Sequence, residues 1–232
     1  MSTIVSVKTQ IIATIGPATL DFPVFSSLIR DVSMIRINTA YGDEAQYDRI
    51  LENLRRSGQK DVRVMFDIKN HSTIPYILKN NISVIAHSFT QSAADLQELR
   101  RLVPGVFVIA KIETKEGVAN FAEISDEADG VMIARGDLGE AVTLEKLPCL
   151  QKRFTKQCIE KKKFVIAATE MLLSMTEHMR PTRAEVSDVA NAVFDGVDAV
   201  MLSEETAIGK YPIEAVTCMK DVIVDAERCD WD

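Results

Sequence analysis

Short apolar runs rich in β-branched residues recur along this chain, and amphipathic stretches separate most of them. The runs are Gln10–Ile15, Met34–Asn38, Val62–Asp67, Ile82–Ala86, Val106–Lys111, Gly130–Ala134, Phe164–Ala168 and Ala199–Leu202. They are apolar over most of their length and do not alternate, as in strands buried on both faces. Asp43–Ser57, Ser92–Leu102, Glu145–Lys161, Arg183–Phe194 and Pro212–Glu227 read as helices. Ser92 and Thr182 stand as N-caps and Pro212 near a first turn. This alternation predicts a (β/α)8 barrel, the TIM-barrel architecture; a doubly wound open sheet would produce the same pattern. Asn70–Asn81, which contains Pro75, leaves room for only about two helical turns. No linker or low-complexity tract interrupts the chain, so residues 1–232 read as a single domain.

Composition narrows the partners. The chain has 232 residues, 47% of them hydrophobic, enough for one substantial core or for two small domains. A net charge of −7 argues against nucleic acid or an anionic membrane as the main partner. No stretch approaches the ~18 apolar residues of a membrane span. Met1–Val7 lacks the basic and apolar regions of a signal peptide. Cys149, Cys158, Cys218 and Cys229 form no C-x-x-C pair. They read as reduced helical thiols, which suits a cytoplasmic location. His71, His87 and His178 show neither triad nor metal spacing and read as structural.

In a barrel, chemistry collects at the C-terminal ends of the strands. There the sequence places Arg36 and Asn38, Asp67, Ser88, Lys111 and Glu113, the loop Arg135-Gly136-Asp137-Leu138-Gly139, Thr169-Glu170 and Ser203-Glu204-Glu205. Lys111 and Glu113 are two apart on one strand and share a face. Either they serve a polar site or they close the barrel top as a buried ion pair. Arg36 likewise could bind a phosphate bidentately or pair with Asp67 on the neighbouring strand. Glu113 with Asp137 could hold Mg2+, which takes one or two carboxylates and completes its shell with water and substrate oxygens. The glycines around Asp137 suit a turn that offers backbone N–H groups to an anion.

These residues carry a family likeness. KTQIIATIGPA at Lys8–Ala18 resembles the opening strand of pyruvate kinases. MIRINTAYG at Met34–Gly42, IAKIET at Ile109–Thr114, DGVMIARGDLG at Asp129–Gly139 and AATEML at Ala167–Leu172 resemble further segments of that family, in its order. The longest resemblance runs over Pro181–Val216. The resemblance implies the barrel over the open sheet. It implies that Glu113 and Asp137 bind a divalent ion, Mg2+ or Mn2+, and that Lys111 stabilises charge on the transferring phosphoryl group or the enolate. Arg36 would hold the phosphate; the Gly136 and Asp137 N–H groups would receive the substrate carboxylate, with Thr169 beside it. Asn38, Asp67 and Ser88 would take part in a K+ site, from which Ala40 removes a hydroxyl ligand.

Other departures from the family pattern bear on the nucleotide. The family inserts a lid domain after the third strand, where this sequence has only Asn70–Asn81, and adds a C-terminal regulatory domain after the eighth helix, where this chain stops. Ile74 replaces a phosphate-clamping arginine, and Tyr41 replaces a histidine. Glu170 stands where glutamine is common and Glu204 where glycine is common, adding negative charge that opposes a polyanion. Three expectations follow: phosphoryl transfer between phosphoenolpyruvate and ADP or ATP; metal-dependent enolate chemistry on a 2-oxo acid, of aldolase or oxaloacetate-decarboxylase type, without kinase activity; or non-catalytic binding of the acid. A barrel-to-barrel homodimer is the expected assembly.

Overall fold

The structure, a computed structural model, describes residues 8–229. The reading of Met1–Val7 and the ends of the single-domain assignment lie outside them. Eight parallel strands close into a barrel in sequence order: β1 (Gln10–Thr14), β2 (Met34–Asn38), β3 (Arg63–Ile68), β4 (Val84–His87), β5 (Phe107–Ile112), β6 (Gly130–Ala134), β7 (Phe164–Ala168) and β8 (Ala199–Leu202). The last strand pairs with the first, Ile12 opposite Met201, so no open edge remains. The open-sheet alternative is thereby excluded.

The helices are α1 (Phe22–Leu28), α2 (Glu44–Ser57), α3 (Ile74–Lys79), α4 (Ala93–Leu102), α5 (Lys115–Ala119), α6 (Phe121–Glu127), α7 (Arg135–Ala141), α8 (Leu147–Glu160), α9 (Arg183–Phe194), α10 (Glu204–Ala207) and α11 (Pro212–Glu227). Thr182 caps α9 by accepting the Glu185 N–H, while the Glu185 carboxylate accepts the Thr182 N–H. Ser92 stands at the N-cap of α4, where the Asp95 carboxylate accepts its N–H. Helix α8 starts later than the sequence suggests. Pro148 favours a first-turn position, so α8 begins at Leu147 behind a 3-10 turn at Leu144–Lys146. Cys149 and Cys158 lie in α8 and Cys218 in α11, but Cys229 falls past the end of α11, a correction to its helical reading.

Strand periodicity divides the core in two. Ile12, Met34, Met65, Val84, Ile109, Met132, Ile166, Ala199 and Met201 fill the barrel interior. Their neighbours one residue along, such as Ile35, Phe66, Ile85, Val108, Ala110, Val131 and Val165, pack outward in the larger cluster beneath the helices. Both sides of each strand are therefore apolar, as the largely apolar runs suggest. Stepping by two along the interior face leads from Met34 to Arg36, from Met65 to Asp67 and from Ile109 to Lys111. The register sets these steps side by side: Asn38 faces Asp67, Asp67 faces Ala86 and Lys111 faces Met132. The interior thus ends in a polar layer at the C-terminal rim.

Candidate active site

A cavity of about 430 Å3 opens at that rim. Arg36, Asn38, Ser88, Lys111, Glu113, Gly136, Asp137 and Thr169 all line it. Asp67 lies beside it, 2% exposed. The structure therefore gathers the sequence-derived residues in one place.

Lys111 occupies the floor. Its Nζ lies 2.9 Å from Glu113 Oε1, 3.0 Å from Asp67 Oδ2 and 3.1 Å from Ser88 Oγ. Ser88 Oγ in turn donates to Asp67 Oδ1 at 2.8 Å. Arg36 reaches the same carboxylate, with Nη2 at 2.7 Å and Nε at 2.9 Å from Asp67 Oδ2, and Nη1 donates to Thr14 Oγ1. Both ion pairs weighed as alternatives to a functional role are formed, and both stand on the cavity. Burial pushes the Asp67 carboxyl up, but the Arg36 and Lys111 cations outweigh it and hold the group below the usual carboxylate range. Glu113 shows the opposite balance. Burial raises it above that range, and Lys111 and the Phe89 N–H, which donates to Oε2 at 2.7 Å, offset this only in part.

Asp137 lies in the first turn of α7, exposed, with no side-chain hydrogen bond among the described residues. No side chain caps α7, which leaves its leading N–H groups facing the rim without a capping acceptor. Among the described residues no three His, Cys, Asp or Glu side chains converge on a metal position. Glu113 and Asp137 both line the cavity and offer carboxylate oxygens, the hard donors that Mg2+ takes when water and substrate complete its shell.

Two features were not legible in the sequence. Thr169 and Glu170 both adopt left-handed backbone, with φ of 76° and 56°. For a β-branched residue this is strained by about 1–3 kcal/mol, and such strain persists only where surrounding structure enforces it. Thr169 lies against Gly136: a Cβ on that glycine would come within 2.8 Å of Thr169 Cγ2. The other feature is Glu205, fully buried, whose carboxylate accepts the N–H groups of Leu172 and Ser203 and so ties the loop after β7 to the loop after β8. Its place in the Ser203-Glu204-Glu205 run was the only signal.

The departures also find places. Ile74 is buried at the start of α3, away from the cavity. Ala40 and Tyr41 line the cavity, and Asn38 Oδ1 accepts the Ala40 N–H at 3.1 Å. Glu140, Glu170 and Glu204 also face the cavity, and none is in an ion pair among the described residues. His87 hydrogen-bonds Thr90 Oγ1 and His71 lies near Glu98, both outside the central cavity. No helix among the described residues is long and apolar enough to cross a membrane.

Residues 61–216 match the family model of the pyruvate kinase barrel domain. The chain is 49% identical over 165 residues to a pyruvate kinase of Geobacillus stearothermophilus, which covers 69% of this chain and 28% of that protein. It is 45% identical over 165 residues to a pyruvate kinase of Borreliella burgdorferi, covering 69% of this chain and 35% of that one. The chain therefore spans about a third or less of these two curated relatives. A crystal structure of a pyruvate kinase from Cryptosporidium parvum superposes with a TM-score of 0.92 at 28% identity, covering 97% of this chain and 70% of that one. With the barrel, the order of its motifs and these likenesses in agreement, the chain belongs to the pyruvate kinase family through its barrel domain.

Proposed function

We propose that this barrel binds phosphoenolpyruvate or pyruvate together with a divalent cation, Mg2+ or Mn2+, and supports pyruvate-kinase-type phosphoryl transfer between phosphoenolpyruvate and ADP. The observation that carries the reading is the placement of Lys111, held by Asp67 and Glu113 at the floor of the rim cavity. An ammonium fixed in this way meets negative charge developing on an enolate oxygen or a transferring phosphoryl group without having to reorganise. Glu113 and Asp137 would hold the cation, which when bound polarises the oxygens of the acid. Gly136 and Asp137 would present backbone N–H groups to the substrate carboxylate, with the Thr169 side chain alongside. Arg36 would receive the phosphate while remaining anchored on Asp67. A K+ ion at Asn38, Asp67 and Ser88 would share Asp67 with two cationic side chains.

A second reading, enolate chemistry on a 2-oxo acid without a nucleotide, is favoured by one observation. Glu140, Glu170 and Glu204 line the cavity without cationic partners among the described residues, and a polyphosphate would have to approach them. Proton exchange at the methyl group of pyruvate, followed by NMR in D2O with and without Mg2+, tests what the two readings share. Mg2+-dependent exchange is expected, and none at any Mg2+ concentration would reject both. A coupled phosphoenolpyruvate/ADP assay then separates them: turnover supports the transferase, and exchange without turnover supports the nucleotide-free enzyme.

A further inference from the structure

Arg135 belongs to neither the acid-binding nor the metal-binding set, yet its guanidinium joins three elements around the rim. It opens α7 and turns back beneath the end of β7. There Nη2 donates to the Thr169 carbonyl at 2.7 Å, and Nε donates to the same oxygen at 3.1 Å and to Ala168 O at 3.3 Å. Nη1 lies 2.5 Å from Asp188 Oδ2 on α9 and 3.4 Å from Gln151 Oε1 on α8. The peptide gripped in this way is the one with left-handed backbone at Thr169 and Glu170. Neither residue is glycine, so the conformation must be imposed from outside.

We propose that Arg135 is a positioning residue of the acid site. It holds the Thr169 carbonyl so that the backbone stays left-handed, and this sets the Thr169 side chain over Gly136 at the head of α7. The inference rests on the reading of Thr169, Gly136 and Asp137 as the cradle of the substrate carboxylate. The planar fork of arginine presents one edge to a carbonyl and another to a carboxylate at fixed angles, a geometry that the point charge of lysine does not reproduce. Asp188 aims the fork from α9, and the loop after β7 is pinned from its other side where Glu205 accepts the Leu172 N–H.

The test is a double-variant cycle with oxalate, an enolate mimic, measured by calorimetry in Mg2+. Arg135→Lys keeps the charge next to Asp188 but loses the fork. It is expected to weaken oxalate binding roughly ten-fold, the order of loss when a supporting residue is removed. Thr169→Ala should weaken it as well. In the Thr169→Ala background, Arg135→Lys should cost less than about two-fold more, because both changes remove one interaction. Additive losses would overturn the proposal, since Arg135 would then act independently of Thr169. Amide exchange at Leu172 in the free protein gives a readout that needs no ligand: it rises in Arg135→Lys if the fork holds this loop, and unchanged exchange overturns the proposal. Asp188→Asn, which leaves Arg135 in place, serves the same measurements if Arg135→Lys does not fold. If the wild-type protein binds no oxalate, the acid-site reading fails, and the exchange comparison still decides the role of Arg135.

Discussion

Lys111 and Glu113 stand two residues apart at the C-terminal end of β5 and meet in an ion pair, Nζ to Oε1, at 2.9 Å. The spacing puts both side chains on the interior face, and β3 supplies a second carboxylate, Asp67, to the same ammonium at 3.0 Å. One cation therefore faces two acids whose proton affinities are displaced in opposite directions. Ionisable groups displaced this far by burial and by a charged partner cluster at functional sites.

Lys111→Met should leave the barrel folded, as judged by circular dichroism, because Arg36 still neutralises Asp67. Mg2+-dependent exchange of pyruvate methyl protons should fall by roughly 10²-fold or more, the loss typical when a group stabilising an oxyanion is removed. Undiminished exchange would reject the assigned role.

Asp137→Asn should not affect stability, since the side chain is exposed and makes no hydrogen bond among the described residues. It should raise the Mg2+ concentration needed for half-maximal oxalate binding by about ten-fold or more, because a neutral amide is a poorer ligand for a hard cation. An unchanged Mg2+ titration would remove Asp137 from the metal site.

Much of this was legible in the sequence because strands buried on both faces leave a largely apolar record, interrupted mainly where polar residues reach the rim. Met34–Asn38, Gly130–Ala134, Phe164–Ala168 and Ala199–Leu202 form strands with the bounds read from the sequence. The third run is shifted by one, because pairing with β2 starts at Arg63, opposite Met34. Helices α1, α5, α6 and the single turn α10 are not apparent in the sequence pattern. Phe22–Leu28 is too short and too apolar to show a helical period, and Asn120 breaks Lys115–Glu127 into two pieces. At the rim, the shared face of Lys111 and Glu113 follows from their spacing. The left-handed backbone at Thr169 and Glu170 does not, because it is imposed by Arg135 and lacks the glycine that would announce it.

Glu170→Gln and Glu204→Gly remove unpaired carboxylates from the cavity wall. Each should tighten ADP binding by about two- to five-fold at low salt, with the gain shrinking as ionic strength rises. Calorimetry at two salt concentrations checks this. ADP affinity unchanged by the double variant would show that these carboxylates do not set the nucleotide preference.

Acid and base should affect the two acids in opposite senses. Asp67 has a depressed folded value, so its stabilising contribution is present above its unfolded value and is lost as pH falls through the folded one. Glu113 has a raised folded value, so its contribution is full below its unfolded value and is lost as pH rises through the folded one. At neutral pH Asp67→Asn should therefore cost about 3–5 kcal/mol, as when one partner of a buried ion pair is removed. Glu113→Gln should cost little or even stabilise, while abolishing the Mg2+ dependence of oxalate binding. Urea midpoints for both variants between pH 4 and pH 8 check the order; a larger loss at Glu113 than at Asp67 would contradict it.

The arrangement at the rim is tested most directly by a crystal structure of the protein with Mg2+ and oxalate. One ion shared by the Glu113 and Asp137 carboxylates is expected, with an oxalate oxygen on Lys111 Nζ and a carboxylate at the Gly136 and Asp137 N–H groups. An ion bound elsewhere, or oxalate lying outside the cavity while Lys111 keeps only its partners Asp67 and Glu113, would contradict that arrangement.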